Sequence, residues 1–324
     1  MATQTIDIQN AATRWAWRNK AIDAMFRWAT AFFALAVLVL LGGVIVALID
    51  GSLPALQKFG LHFLATEEWD PVTEEFGALA PIYGTIVTSI IAMIVGVPVS
   101  FGIAVFITEL CPTWLKRPIG VAVELLAGIP SIIYGIWGLF VFAPALQETL
   151  QPFLIDTFGN LPIIGVLFSG APLGVGMLTA GLILGIMVLP FITAIMRDVF
   201  ETVPPMLRES AYGLGATTWE VVWNVVLPYT RAGVIGGITL GLGRALGETM
   251  AVTFVVGNAH RIEASILAPA TTISATLANE FTEATTDIYT SALIALGLIL
   301  FVITFAVLAA AKIMLIRLQR RAGS

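Results

Sequence analysis

The chain alternates long apolar stretches with shorter polar ones, and the length of the apolar stretches settles its class. Crossing the hydrocarbon core of a bilayer takes about 20 predominantly apolar residues in a helix. Residues 25–49, 81–108, 118–146, 173–196, 229–257 and 289–316 meet that length, which predicts six transmembrane helices and an all-α polytopic membrane protein. A further patch, 161–170, is too short to cross and is broken by Pro162 and Gly165, so it is expected to be interfacial or re-entrant. Pro98, Pro130 and Pro190 interrupt three of the spans. Such breaks are tolerated where neighbours satisfy the freed backbone, and they often line a pathway; simple kinks are the alternative. No internal repeat shows. The first stretch lacks a small-residue cleavage site and is long for the apolar region of a signal peptide, so it reads as an uncleaved anchor.

The polar positions between the spans give the orientation. Arg14, Arg18, Lys20 and Arg27 precede or open the first span, and Lys116 and Arg117 separate the second from the third. Arg197, Arg208 and Arg231 separate the fourth from the fifth, and Lys312, Arg317, Arg320 and Arg321 close the chain. The alternate loops hold Lys58 and Arg261. By the positive-inside rule both termini are expected in the cytoplasm, as an even number of spans requires. The opposite loops carry acid: Asp50, Glu67, Glu68, Asp70, Glu74 and Glu75 in the first, Glu148 and Asp156 in the second, Glu263, Glu280, Glu283 and Asp287 in the third. These acids are expected to form a solvated outer face, on loops of about 30 residues that are long enough to be docking surfaces.

Composition excludes several classes. At 58% hydrophobic and 11% charged residues, the chain is far from the roughly 25% charge of a soluble domain. A single cysteine, Cys111, excludes an internal disulfide, and His62 and His260 are too few to close a metal site. None of the lysines, Lys20, Lys58, Lys116 and Lys312, is followed by Ser or Thr as a phosphate-binding loop requires, so the chain is not expected to hydrolyse ATP. No cofactor is expected, and a net charge of −5 gives no reason to expect a nucleic-acid partner.

Between the fourth and fifth spans the chain reads Pro204-Pro205, good helix formers over 206–212, Gly213-Leu214-Gly215, then Thr217-Thr218-Trp219-Glu220 and an apolar run to Leu227-Pro228. Proline opens a helix and glycine closes one, while Thr217 with Glu220 is a capping box for the next. A helix, a tight turn and a helix are predicted at about 204–226. Trp219, Val222 and Trp223 would give this element an apolar face for a partner or for the membrane interface.

In the fifth span, Arg244 is the one basic residue placed within the bilayer, where an arginine costs about 2.5–3.5 kcal/mol. Glu248 follows four residues on and can pair with it along one helix face. Gly233, Gly237, Gly241, Arg244 and Glu248 fall within an arc of about 80°. Either this face is a tight helix seam clipped by a buried ion pair, or Arg244 lines a route and offers its planar fork to an oxyanion, with Glu248 holding the fork and Gly237 and Gly241 opening the path.

Two sets of residues carry a resemblance. Glu209, Ser210 and Ala211, then Gly215, Val225, Leu227 and Pro228, are similar at the family's spacing to the coupling motif of ABC importer permeases, with Ser210 and Val225 as conservative departures. The segment from Gly241 to Val252, with Pro98-Val99-Ser100-Phe101-Gly102-Ile103, Ile129-Pro130-Ser131, Tyr134-Gly135 and Trp137-Gly138-Leu139-Phe140, resembles the permease subunits of bacterial phosphate importers over most of the chain, from about Gly42 to Arg317.

The resemblance implies the type I ABC importer permease fold, with a tail at 1–24, a first transmembrane helix at 25–49, a five-helix core at 81–316 and a tail at 317–324. It implies an ATPase-coupling role for Glu209, Ser210, Ala211, Gly215, Leu227 and Pro228, and a transport role for Arg244 and Glu248. Implied partners are a second, related permease subunit, a homodimeric ATPase that uses the ATP, and a periplasmic phosphate-binding protein, all at the bacterial inner membrane. Phosphate uptake would need driving, since moving two negative charges against about 100 mV costs roughly 4.6 kcal/mol. The rival readings are a permease for another oxyanion, a secondary transporter or channel working without an ATPase, and an embedded enzyme; for the last, neither histidine lies in a span and Cys111 sits at a cytoplasmic end.

Overall fold

The computed structural model describes the backbone of residues 2–322 and the side chains of Lys20 and of 22–317. Arg14, Arg18, Arg320 and Arg321, which enter the charge pattern, lie outside the described side chains. The chain divides into two compact units, Met1–Gly51 and Ser52–Ser324. The first unit is carried by α1 (Ala2–Phe59), whose apolar side chains from Met25 to Val46 are largely exposed, as befits a helix solvated by lipid.

The second unit opens with the end of α1, a short turn of helix α2 (His62–Ala65) and a hairpin of β1 (Trp69–Asp70) and β2 (Glu75–Phe76), paired antiparallel. Then come α3 (Leu79–Val105), drawn on by a π-helical turn to Leu110, and α4 (Thr113–Ala127). After them α5 (Ser131–Trp137), α6 (Ala143–Glu148) and α7 (Leu150–Phe158) form one interrupted stretch. The centre of the unit is α8 (Met177–Glu201), followed by α9 (Pro205–Gly213), α10 (Thr218–Val221) and α11 (Leu227–Leu246). Short helices α12 (Met250–Thr253) and α13 (Ile273–Glu280) lead into α14 (Asp287–Ala322).

Among the described residues, six helical stretches are long and apolar enough to cross a membrane: Ile22–Phe59, Leu79–Leu110, Ser131–Phe158, Met177–Glu201, Thr218–Leu246 and Asp287–Arg317. Two differ from the sequence expectation. The apolar run at 118–146 is split at Gly128-Ile129-Pro130, where Gly128 and Pro130 together end one helix and start another, so the third crossing stretch begins at Ser131. The run at 229–257 is split after Leu246, so the fifth stretch starts earlier and ends earlier than its hydropathy suggests. Pro98 and Pro190, expected as interruptions, sit inside continuous helices. Each costs one backbone donor, and beside Pro190 the Ser100 hydroxyl donates to the Leu189 carbonyl at 3.1 Å.

The core forms around α8, which packs its Met177, Ile183, Leu184, Met187, Ile192 and Met196 side chains against α3 and α11. A second cluster gathers Phe63, Phe76, Ile273, Tyr289, Leu293 and Leu296 at the hairpin end. The patch at 161–170 is not a span; Leu167 and Ser169 accept hydrogen bonds from Ile266 and Ser265 of the loop after α12.

Most of the loop acids are exposed, as a solvated face requires, and a few are tied into the structure. Glu280 is only 16% exposed: its carboxylate accepts from Trp69 Nε1 and the Tyr289 hydroxyl and pairs with His260 Nε2 at 2.9 Å, while Trp69 stacks on His260. Glu67 accepts from the Ile262 amide, which ties the first acidic loop to the third, while Glu74 pairs with Lys58 and Glu263 with Arg261 within their own segments. At Asp70, the Val72 amide holds the carboxyl below the usual carboxylate range.

Candidate functional site

The element between α8 and α11 folds as the turn signals direct. Pro204 and Pro205 open α9, and Thr217 and Glu220 form both halves of a capping box at α10. Between them the Ala216 amide bonds the Ala211 carbonyl and the Gly215 amide bonds that of Tyr212, a paired closure that requires a left-handed residue. Gly215 supplies it, at φ +89°, with open space where a side chain would stand. Glu209 and Ser210 are exposed, whereas Ala211, Val225 and Leu227 pack against the core. Pro228 stands in the first turn of α11.

Exposed apolar side chains crowd this element: Leu214 is 91% exposed, and Met206, Trp219 and Trp223 stand out with the two indoles edge to face. Val222 does not join them. It is buried, as are Val221 and Val226, at the start of a π-helical turn over 222–226. One contact had no local signal in the sequence. Arg208 of α9 reaches Glu109 at the end of the α3 stretch, 3.0 Å away, and donates to the Phe200 carbonyl at 2.7 Å. The partners lie about a hundred residues apart, so only packing brings them together.

The second element is the end of α11. Arg244 lies in its last turn, where the helix dipole favours a cation, rather than in the middle of an unbroken span. Past Gly247 the helical path is lost before α12 starts, so positions 244 and 248 are no longer neighbours on consecutive turns. No ion pair joins Arg244 to Glu248. Glu248 turns instead toward the start of α12, its Oε1 3.5 Å from the Ala251 amide. Arg244 stacks on Phe191 of α8, with the guanidinium carbon 4.1 Å from the ring centroid, and its Nε is buried with no hydrogen-bond partner.

The glycines of the stripe pack on α8 in this structure. Gly237 and Gly241 are buried against α8; a methyl group on Gly241 would come within 2.6 Å of Ile192, and one on Gly237 within 3.0 Å of Ile195. The stripe is a close-packed seam, as small residues make between membrane helices. It sets the height at which Phe191 and Arg244 meet.

What the arrangement offers is a guanidinium covered by a ring, whose charge no carboxylate among the described residues neutralises within ion-pair distance, at a break in a membrane helix. Broken helices of this kind place charges and backbone ends where solutes bind. A planar fork with free donors suits a tetrahedral oxyanion.

Known proteins share this architecture. A chain of a bacterial alginate ABC transporter, crystallised with an alginate-pentasaccharide-bound periplasmic protein, matches at TM-score 0.58 and 17% identity over 89% of this chain and 93% of its own. At that identity the likeness establishes the fold, that of type I ABC importer permeases. A phosphate transport system permease protein PstC of Mesorhizobium japonicum is 65% identical over 302 residues, covering 93% of this chain and 92% of its own. A protein of the same description from Pasteurella multocida is 57% identical over 302 residues, covering 93% and 94%. Residues 80–320 match the family described as binding-protein-dependent transport system inner membrane component, and the chain is a multi-pass membrane protein that belongs to that family.

Proposed function

We propose that this chain is the transmembrane permease subunit of an ATP-driven importer of inorganic phosphate in the bacterial inner membrane. It forms the pathway with a second, related permease subunit, takes phosphate from a periplasmic phosphate-binding protein and is driven by a homodimeric ATPase. The chain itself is non-catalytic. The observation that carries the reading is Arg244, a cation at a broken membrane helix with a buried, unpartnered Nε and no carboxylate pair. Near-full-length similarity to proteins named as phosphate permeases supports phosphate as the anion. The α9–α10 element, with its exposed apolar side chains and preformed glycine turn, suits docking on the ATPase, and the basic loops suit a cytoplasmic placement.

The chemistry follows from charge. A phosphate leaving its binding protein loses hydration and meets a low-dielectric path, so a fixed, unneutralised guanidinium lowers the barrier, and ATP-driven motion of the paired subunits must then release it inward. The test is uptake of labelled phosphate into proteoliposomes holding the full complex. Uptake should require ATP, and Arg244→Gln, with or without Glu248→Gln, should assemble and not transport. Near-normal uptake by Arg244→Gln would remove Arg244 from the anion path. Competition by a different oxyanion at lower concentration would reassign the substrate. Uptake that follows an ion gradient and ignores ATP would make the chain a secondary transporter.

A further inference from the structure

Arg244 has lost the partner its spacing suggests, yet a long, flexible cation has to be held in one pose to bind an anion repeatedly. We infer that Phe191 is the positioning residue for Arg244: the ring fixes the guanidinium flat against α8 and leaves its edge to the anion. This role rests on the reading of Arg244 as the anion ligand.

Three observations lead there. The guanidinium carbon stands 4.1 Å from the Phe191 centroid, within the range of a cation over an aromatic face. No carboxylate lies within ion-pair distance of Arg244 among the described residues, and Glu248 is turned toward the α12 amide. Phe191 is half-buried on α8, next to Ile192, which closes the α8–α11 seam on Gly241.

The choice of partner matters physically. A carboxylate would hold the fork but cancel its charge and compete with the incoming oxyanion for the same donors. A ring attracts the cation through its quadrupole, takes none of the N–H donors and leaves the charge intact. The N–H donors lie in the guanidinium plane, and a ring over one face leaves that edge free, where two N–H groups can meet two oxygens of a tetrahedral anion.

The test replaces Phe191 in the full reconstituted complex and reads the initial rate of ATP-dependent labelled-phosphate uptake per assembled complex. Phe191→Leu, which keeps apolar bulk, should lower the rate about tenfold, and Phe191→Tyr and Phe191→Trp should hold it near wild type. A second series keeps the shape: mono-, di- and trifluorophenylalanine placed at 191 weaken the ring quadrupole stepwise, and the rate should fall in that order. A residue that merely fills space would give a flat fluorination series and a Leu variant close to wild type, and either result overturns the assignment. Arg244→Gln is measured alongside. If it is inactive while the Phe191 series is flat, only the positioning role fails; if it transports normally, the anion-ligand reading fails and the positioning role falls with it.

Discussion

Glu109 and Arg208 set the seat of the α9–α10 element, and their removal has a calculable cost. The Glu109 side chain is 5% exposed and that of Arg208 20%, with the charges 3.0 Å apart. The carboxylate meets the guanidinium by distance without the angle of a hydrogen bond, and Arg208 spends a good bond on the Phe200 carbonyl at the end of α8. Removing one member of a buried pair costs about 3–5 kcal/mol because the other charge is stranded. The imperfect angle places Glu109→Gln and Arg208→Gln at the low end, about 3 kcal/mol each. With both charges gone nothing is stranded, so the double variant should cost less than either single one, and the cycle should give a coupling of more than about 3 kcal/mol.

The assay is chemical unfolding of the purified complex in mixed micelles, with phosphate-stimulated ATPase activity read on the same preparations. Each single variant should lose stimulation in step with stability, because one guanidinium ties α9 to the ends of both α3 and α8. Additivity within about 0.5 kcal/mol would show that the two side chains do not share a contact and would refute the reasoning.

At Gly215, φ +89° and the open space around it separate backbone strain from contact with a partner. Gly215→Asn, which tolerates left-handed backbone, should keep assembly and lose part of the coupling, whereas Gly215→Asp, of equal size but charged, should abolish substrate-stimulated ATPase; equal activities would place the turn away from the ATPase. For orientation, native Cys111 is a poor reporter, since it is buried and would resist an impermeant thiol reagent on either side. In a Cys111→Ser background, Val72→Cys should react in intact cells and Thr113→Cys only in inverted membranes, both positions being exposed; the opposite pattern would reverse the topology.

Six membrane helices, the capping box at Thr217 and the left-handed turn at Gly215 were all legible in the sequence, because each depends on residues close together in the chain. Apolar length, a Thr with Glu three places on, and a glycine after a helix act locally, and the structure keeps the cap, the turn and six crossing stretches, with the ends of the third and fifth stretches moved. Charge placement pointed to Arg244 for the same reason: a cation in an apolar run is conspicuous wherever the run folds.

What the chain pattern could not decide is where a helix stops inside an apolar run and which side chain meets which across the bundle. Hydropathy does not register the loss of helical path at Gly247, so spacing alone joined Arg244 to Glu248, when the tertiary structure sends one to Phe191 and the other to the α12 amide. Helical periodicity placed Val222 beside the exposed tryptophans, yet it is buried, as are Val221 and Val226. The sequence left the glycine stripe open as seam or pathway, and which side chains of α8 pack on it, Ile192 and Ile195, is decided by the tertiary structure. Glu109 with Arg208 and Glu280 with His260 each join distant segments, and Glu280 also meets Trp69 from yet another. Local propensity fixes what a residue's neighbours in sequence do, while contacts closed across long loops exist only once the helices have packed.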